Sequence, residues 1–228
     1  MTLLPITAVM AGEAGGETQG QGLLGIILSS PVEWVLIALS IAGIAIGIHR
    51  LITIKSDELV PEGLADDLHN IFAEGVSEEA VEDAMNVVAG DQSILGEVFS
   101  AALDKREFGF ESMQEAAETV GNAEHNKYMA QISWLSLFAA IGPMLGLLGT
   151  VVGMIGAFMK MASSGGAVDP AMLANDIGGA MITTATGLII AIPMMFLFFV
   201  LRARVNRCVL DATVLTSEVL DYFRPAHA

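Results

Sequence analysis

Positive charge is scarce in this sequence: its 228 residues carry ten Lys and Arg against 26 Asp and Glu, a formal net charge of −16. A surface this acidic repels nucleic acid and anionic lipid, so DNA and RNA binding are excluded. Charge of either sign is sparse too, at 16% of residues against roughly 25% in an ordinary soluble domain. Cysteine occurs once, at Cys208, so no internal disulfide can form, and no metal-ligand spacing surrounds it. The four histidines, His49, His69, His125 and His227, are scattered. His49, at the edge of an apolar run, reads as an interfacial anchor rather than a relay. No set of nucleophile, base and oxyanion donors can be assembled, so the chain is not expected to be an enzyme.

What the chain has instead is apolar length. Hydrophobic residues make up 54% of it, and mean hydropathy is +0.63, which points to a membrane protein rather than one large soluble core. Three charge-free runs mark spans. Trp34 to Ile48 holds 15 residues, short of the ~20 a bilayer core needs; Arg50 can snorkel and Leu51 to Ile54 can extend it. The run between Lys127 and Lys160 holds 32, about 48 Å of helix, so one end projects into water. Ile177 to Leu201 holds 25, a comfortable span.

The basic residues near the span ends set an orientation. Arg50 and Lys55, Lys127, and Arg202, Arg204 and Arg207 all fall on one side if the N-terminus is outside; Lys160 falls on the other. The expected order is therefore an outer tail and interfacial segment (1–30), span one (31–54), an acidic helical cytoplasmic domain (55–127), span two (128–159), an outer loop (160–173), span three (174–201) and a cytoplasmic C-terminal tail (202–228). Met1 to Gly22 has no basic residue and makes a poor signal peptide. Leu23 to Leu28 reads as a short interfacial helix. The fold class is all-α, with long helices reaching from the membrane into the cytoplasmic domain.

Residues 56–126 hold 18 of the 26 acidic residues and two basic ones, Lys105 and Arg106. Ser77 before Glu78 and Glu79 opens a helix that Gly90 can close. Ser112 and Glu115 form an S-x-x-E capping box, and no proline follows until Pro143, so one helix is predicted from about Met113 through the bilayer. The cluster Glu78, Glu79, Glu82 and Asp83 reads as a solvated helix face, since no His or Cys shares its spacing.

Glycine is concentrated where charge is absent. Gly142, Gly146, Gly149, Gly153 and Gly156 step by four, three, four and three, which puts all five on one helix face. Small residues let backbones approach where lipid supplies little hydrophobic drive, so the stripe reads as a helix-packing face, together with Pro143, Gly187 and Pro193. Ser40, Gly43 and Gly47 form a smaller version in span one. Thr150, set in the stripe, has two readings: its hydroxyl bonds back to its own helix, or it faces a polar path. Span three opens with Asn175 and Asp176 and carries Thr183, Thr184 and Thr186. Asp176 is either a first-turn carboxylate capped by Asn175 or a functional carboxylate at the mouth of a span.

"GPMLGLLGTVVGMIGAF" followed by "DIGGAMITTATGLIIAIP" resembles the core of the MotA/TolQ/ExbB proton-channel family. The resemblance is clear over residues 134–201, and the three-span layout is similar to ExbB and TolQ rather than to the four-span MotA. It implies a ring, usually a homopentamer, around the membrane helices of an ExbD- or TolR-like single-span partner, in the inner membrane of a two-membrane bacterium. Protons are then the transported ion and no cofactor is needed. A TonB- or TolA-like transducer would receive the work. The resemblance places Thr150 and Thr184 in the pore lining, with Thr183 and Asp176 as further candidates along the proton pathway. Relatives often carry a glutamate five residues before the threonine that Thr184 matches, where this chain has Gly179. Either Asp176 substitutes for it or the subunit works without a carboxylate there. The alternative function is a non-conducting membrane scaffold that organises partners.

Overall fold

The computed structural model describes residues 31–73, 75–91, 93–163 and 170–224. The outer tail and interfacial segment expected before residue 31 lie outside these, as does part of the loop expected between spans two and three. The described chain is all-α. Its elements are α1 (Pro31–Thr53), α2 (Ser56–Leu59), α3 (Glu62–Ala73), α4 (Glu78–Ala89), α5 (Ile94–Asp104), a 3₁₀ turn (Arg106–Phe108), α6 (Phe110–Ser163), α7 (Pro170–Leu220) and a second 3₁₀ turn (Asp221–Phe223).

Three helices, α1, α6 and α7, are long and apolar enough to cross a membrane, which makes this a multi-pass helical membrane protein. With 23 residues, α1 is about 35 Å long and covers a ~30 Å hydrocarbon core; Leu51 to Thr53 supply the length that its charge-free run lacks. With 54 and 51 residues, α6 and α7 are each roughly 80 Å long, far more than a bilayer needs. The arginines after span three do not end a helix. α7 passes through Arg202, Arg204 and Arg207 and continues to Leu220.

The chain divides into two units, and the larger comprises 39–141 and 190–224 of the described residues. Its core is built by amphipathic helices together with parts of α6 and α7. α3 turns in Leu64, Leu68 and Phe72, and α4 turns in Val81, Ala84 and Val88, each at helical spacing. α5 is nearly engulfed, burying Ile94, Leu95, Val98, Phe99, Ala102 and Leu103. These pack with Met113 and Ala117 of α6 and with Val205, Cys208 and Ala212 of α7 in one cluster. Phe72 lies at its centre, 6.2 Å from the Phe99 ring and 5.1 Å from Phe223. The acidic cluster Glu78, Glu79, Glu82 and Asp83 is exposed along α4.

Local chemistry places the ends of these helices. The Ser77 hydroxyl accepts from Ala80 N–H at 3.1 Å, capping α4, and Ser93 accepts from Gly96 N–H at 3.0 Å, capping α5. The capping box expected at Ser112 is not used. Gly109, with φ +95°, turns the chain one residue before α6 begins, and Ser112, already inside the helix, donates to the Phe108 carbonyl. A left-handed turn that only glycine adopts easily therefore starts α6 three residues early. At the other end of α1, Arg204 of α7 donates to the Ile54 carbonyl at 2.8 Å, a cation on the negative end of a helix. Within the same unit the small residues of α1 meet α7: a methyl at Gly43 would lie 2.7 Å from Met194 Cε, and one at Gly47 would strike Leu197.

Candidate functional site

The smaller unit comprises 31–38, 142–163 and 170–189 of the described residues. Here α6 and α7 run antiparallel with almost nothing between them. Gly142, Gly146 and Gly149 are buried. A Cβ added at Gly146 would stand 2.9 Å from Thr184 Cα and 3.0 Å from the Thr183 carbonyl oxygen. One at Gly149 would strike the Thr183 methyl, and one at Gly153 would lie 2.6 Å from Ala180 Cβ. From the opposite helix, a Cβ at Gly187 would lie 2.5 Å from the Gly142 carbonyl oxygen. Backbone faces backbone, as small residues permit where lipid gives no drive of its own.

Gly156 departs from this pattern: none of the described residues lies within 4 Å of a Cβ placed there. The helical repeat puts it on the same face as the other four, but the α7 contact does not extend to it. Pro143 and Pro193 lie inside α6 and α7, half-buried and exposed respectively. Each lacks the N–H that would bond the carbonyl four residues earlier.

Close approach brings the hydroxyls into play. Thr184 donates across to the Gly146 carbonyl at 2.9 Å, a bond that a side chain at residue 146 would obstruct. Thr150 donates to the Leu147 carbonyl of its own helix at 2.7 Å, and Thr186 does the same toward Ile182 at 3.0 Å. Of the two readings open for Thr150, the structure shows the bond back to its own helix. Thr183 is buried and donates to a carboxylate: its Oγ1 lies 3.2 Å from Glu33 Oε1.

Glu33 is the residue the sequence reading passed over. It stands immediately before the charge-free run Trp34 to Ile48, and the structure folds it inward at 1% exposure. Its second oxygen, Oε2, is buried with no hydrogen-bond partner among the described residues. The signal was present in the sequence, since the argument applied to Asp176, a carboxylate at the mouth of a span, applies equally to a Glu three residues into α1. Its contact with Thr183, 150 residues away, is one that no local pattern reveals.

Asp176 is not a first-turn carboxylate. α7 starts at Pro170, so Asp176 and Asn175 lie beyond its first turn, and the capping reading falls. Asp176 instead accepts from Lys160 Nζ of α6 at 2.8 Å. This pair closes one end of the α6–α7 contact. The described unit thus brings Thr183, Thr184 and Gly146 together with Glu33, and holds Asp176 against Lys160.

Comparison with known proteins bears on what such a helix pair is for. The model of the MotA/TolQ/ExbB proton channel family matches residues 90–213, more than half the chain. The chain belongs to the MotA/TolQ/ExbB proton channel family. The matched residues take in α5, all of α6 and most of α7, and so cover both sides of the glycine contact; Glu33 lies outside them. The biopolymer transport protein exbB1 of Vibrio cholerae is 34% identical over 105 residues, covering 46% of each chain. The biopolymer transport protein ExbB of Xanthomonas campestris pv. campestris is 34% identical over 118 residues, 51% of this chain and 45% of its own. The Tol-Pal system protein TolQ of Haemophilus influenzae is 36% identical over 85 residues, 37% of each. The alignments span less than half the length of these relatives. Among solved structures, Campylobacter jejuni MotAB aligns over 91% of this chain and 87% of its own at 16% identity, with a TM-score of 0.46.

Proposed function

We propose that the chain is a ring-forming subunit of a proton-driven motor in the inner membrane, working with an ExbD- or TolR-like single-span partner to energise transport or envelope work. The observation that carries this reading is the family match across both helices of the hydroxyl-bearing contact. A TonB- or TolA-like protein would take up the work. Chemistry on a bound substrate is not part of this reading; the ion that moves is the proton.

In this proposal α6 and α7 supply a rigid wall, because backbone-to-backbone contact leaves few side-chain degrees of freedom along them. Thr184 and Thr183 place hydroxyls on that wall, and each hydroxyl can both donate and accept. A homopentamer would repeat the wall around the partner's helices. The exposed apolar faces of α6 and α7, among them Met144, Leu147, Ile155, Ile189 and Ile192, would meet lipid or a neighbouring subunit. The N-terminus is proposed outside and the C-terminus cytoplasmic, from the distribution of arginine and lysine.

One observation favours the scaffold alternative. Thr150 and Thr184 both spend their hydroxyl protons on backbone carbonyls of this chain, as they would in a bundle that only packs. Reconstitution separates the two. Co-purified with its native partner and placed in proteoliposomes, a motor subunit admits protons down an imposed gradient. A complex that assembles at the mass of a ring but leaves the gradient intact would establish the scaffold.

A further inference from the structure

We propose that Glu33 is a proton-binding carboxyl on α1, taking up and releasing a proton at Oε2 while Thr183 holds Oε1. The inference rests on the motor reading for its role in conduction, though the titration itself does not.

The geometry carries it. Glu33 is 1% exposed. Oε1 accepts from Thr183 Oγ1 at 3.2 Å, and Oε2 is buried with no partner among the described residues. A carboxylate oxygen shut away without a donor is costly unless the charge is removed or compensated. Among the described residues of this unit, no basic side chain is placed against it. The other ionisable side chains described in this unit are Lys160 on α6 and Asp176 on α7, joined to each other at 2.8 Å; α1 contributes Glu33 itself. A metal cation fits poorly, because Glu33 and Thr183 supply few oxygens and hard cations take six or more. A proton needs one.

The step balances simply. A hydronium ion gives its proton to Oε2, forming the O–H bond and leaving water, and the carboxyl later returns the proton to a water or to an acceptor carboxylate, becoming an anion again. Thr183 donates to Oε1 in both states and so fixes the rotamer while Oε2 cycles. Glu33 stands in the first turn of α1, where the positive end of the helix lies close to the anion.

Infrared difference spectra of the full chain in lipid, recorded across pH in light and heavy water, test the titration. Wild type is expected to show a protonated-carboxyl carbonyl band that fades as pH rises. The band should vanish in Glu33→Gln and shift in Thr183→Val, which removes the donor to Oε1. Spectra of wild type and Glu33→Gln that superimpose at every pH would overturn the proposal. Proton flux tests the role. In proteoliposomes holding the complex with its co-purified partner, Glu33→Gln should cut flux tenfold or more at equal assembly, since a positioned proton-transfer group contributes roughly 10²–10⁴-fold. Glutamine keeps the shape and the Thr183 contact, so a folding defect is not the expected cause of loss. If wild type conducts and Glu33→Gln conducts equally, Glu33 is not on the path and the motor reading stands. If wild type does not conduct while the Glu33 band still titrates, the motor reading falls and the proton-binding carboxyl remains.

Discussion

The Thr184 hydroxyl reaches the Gly146 carbonyl at 2.9 Å because nothing projects from Gly146. The two residues define each other's tolerance. A Cβ at Gly146 would stand 2.9 Å from Thr184 Cα and 3.0 Å from the Thr183 carbonyl oxygen, both of them backbone atoms that cannot rotate aside. The contact is therefore a point where two helix axes are held at a distance set by main chain alone.

Gly146→Ala should accordingly destabilise the α6–α7 pair by about 1–3 kcal/mol, the usual cost of overpacking, and Gly187→Ala at least as much, since its Cβ would meet the Gly142 carbonyl oxygen at 2.5 Å. Gly156→Ala meets none of the described residues and should be neutral or stabilising by up to roughly 1 kcal/mol through helix propensity. Unfolding in mixed micelles with increasing denaturing detergent measures all three. Equal losses at Gly146 and Gly156 would show that something other than the α7 backbone sets the cost.

At the end of the contact, Lys160 and Asp176 are 57% and 27% exposed. An ion pair this open is worth on the order of 0.2–1 kcal/mol. Asp176→Asn should lower stability by no more than that, and the exchange Lys160→Asp with Asp176→Lys should restore it. A double-mutant cycle read by the same unfolding assay reports the coupling. A coupling several times larger would mean that the pair is shielded from water in the assembled complex.

The topology prediction uses two introduced cysteines in a Cys208→Ala background. Cys208 is fully buried, and alanine avoids placing a hydroxyl in that core. Ser164→Cys, between α6 and α7, should react with a membrane-impermeant thiol reagent in intact spheroplasts. Ala89→Cys, exposed at the end of α4, should react only after lysis. The reverse pattern would invert the orientation inferred from the arginines.

Much of this architecture is written in periodicity. Three apolar runs locate α1, α6 and α7, and the spacing of Gly142, Gly146, Gly149 and Gly153 picks out the face of α6 that meets α7, because a 3.6-residue repeat fixes which residues share a side. Periodicity says nothing of where two helices part, which is why Gly156 joins the stripe in the sequence and not in the contact. Ser77 marks the start of α4 because its cap is local. Ser112 misplaces the start of α6 because Gly109, three residues earlier, offers a left-handed turn that a capping pattern does not register. Glu33 is the instructive case. A glutamate beside an apolar run looks like a span boundary, and only the fold brings Thr183, 150 residues away in sequence, against its carboxyl.

The threonines give the prediction that separates conduction from packing. Valine has nearly the shape of threonine but neither donates nor accepts a hydrogen bond. Thr150→Val removes a bond to its own helix, and Thr184→Val removes a bond to the neighbouring one. Hydrogen bonds between membrane helices average only about 0.6 kcal/mol, so each variant should remain assembled, with Thr184→Val the less stable of the two. If the hydroxyls also hydrate and orient a partner carboxylate in the pore, proton flux in proteoliposomes should fall well beyond this small change in stability, and the double variant should fall furthest. Thr150 donates its proton to the Leu147 carbonyl, which leaves the oxygen lone pairs able to accept from water, so its loss should be felt in flux more than in stability. Full flux from the double variant at equal assembly would remove both residues from the pore lining, and would leave these two hydroxyls with packing as their whole role.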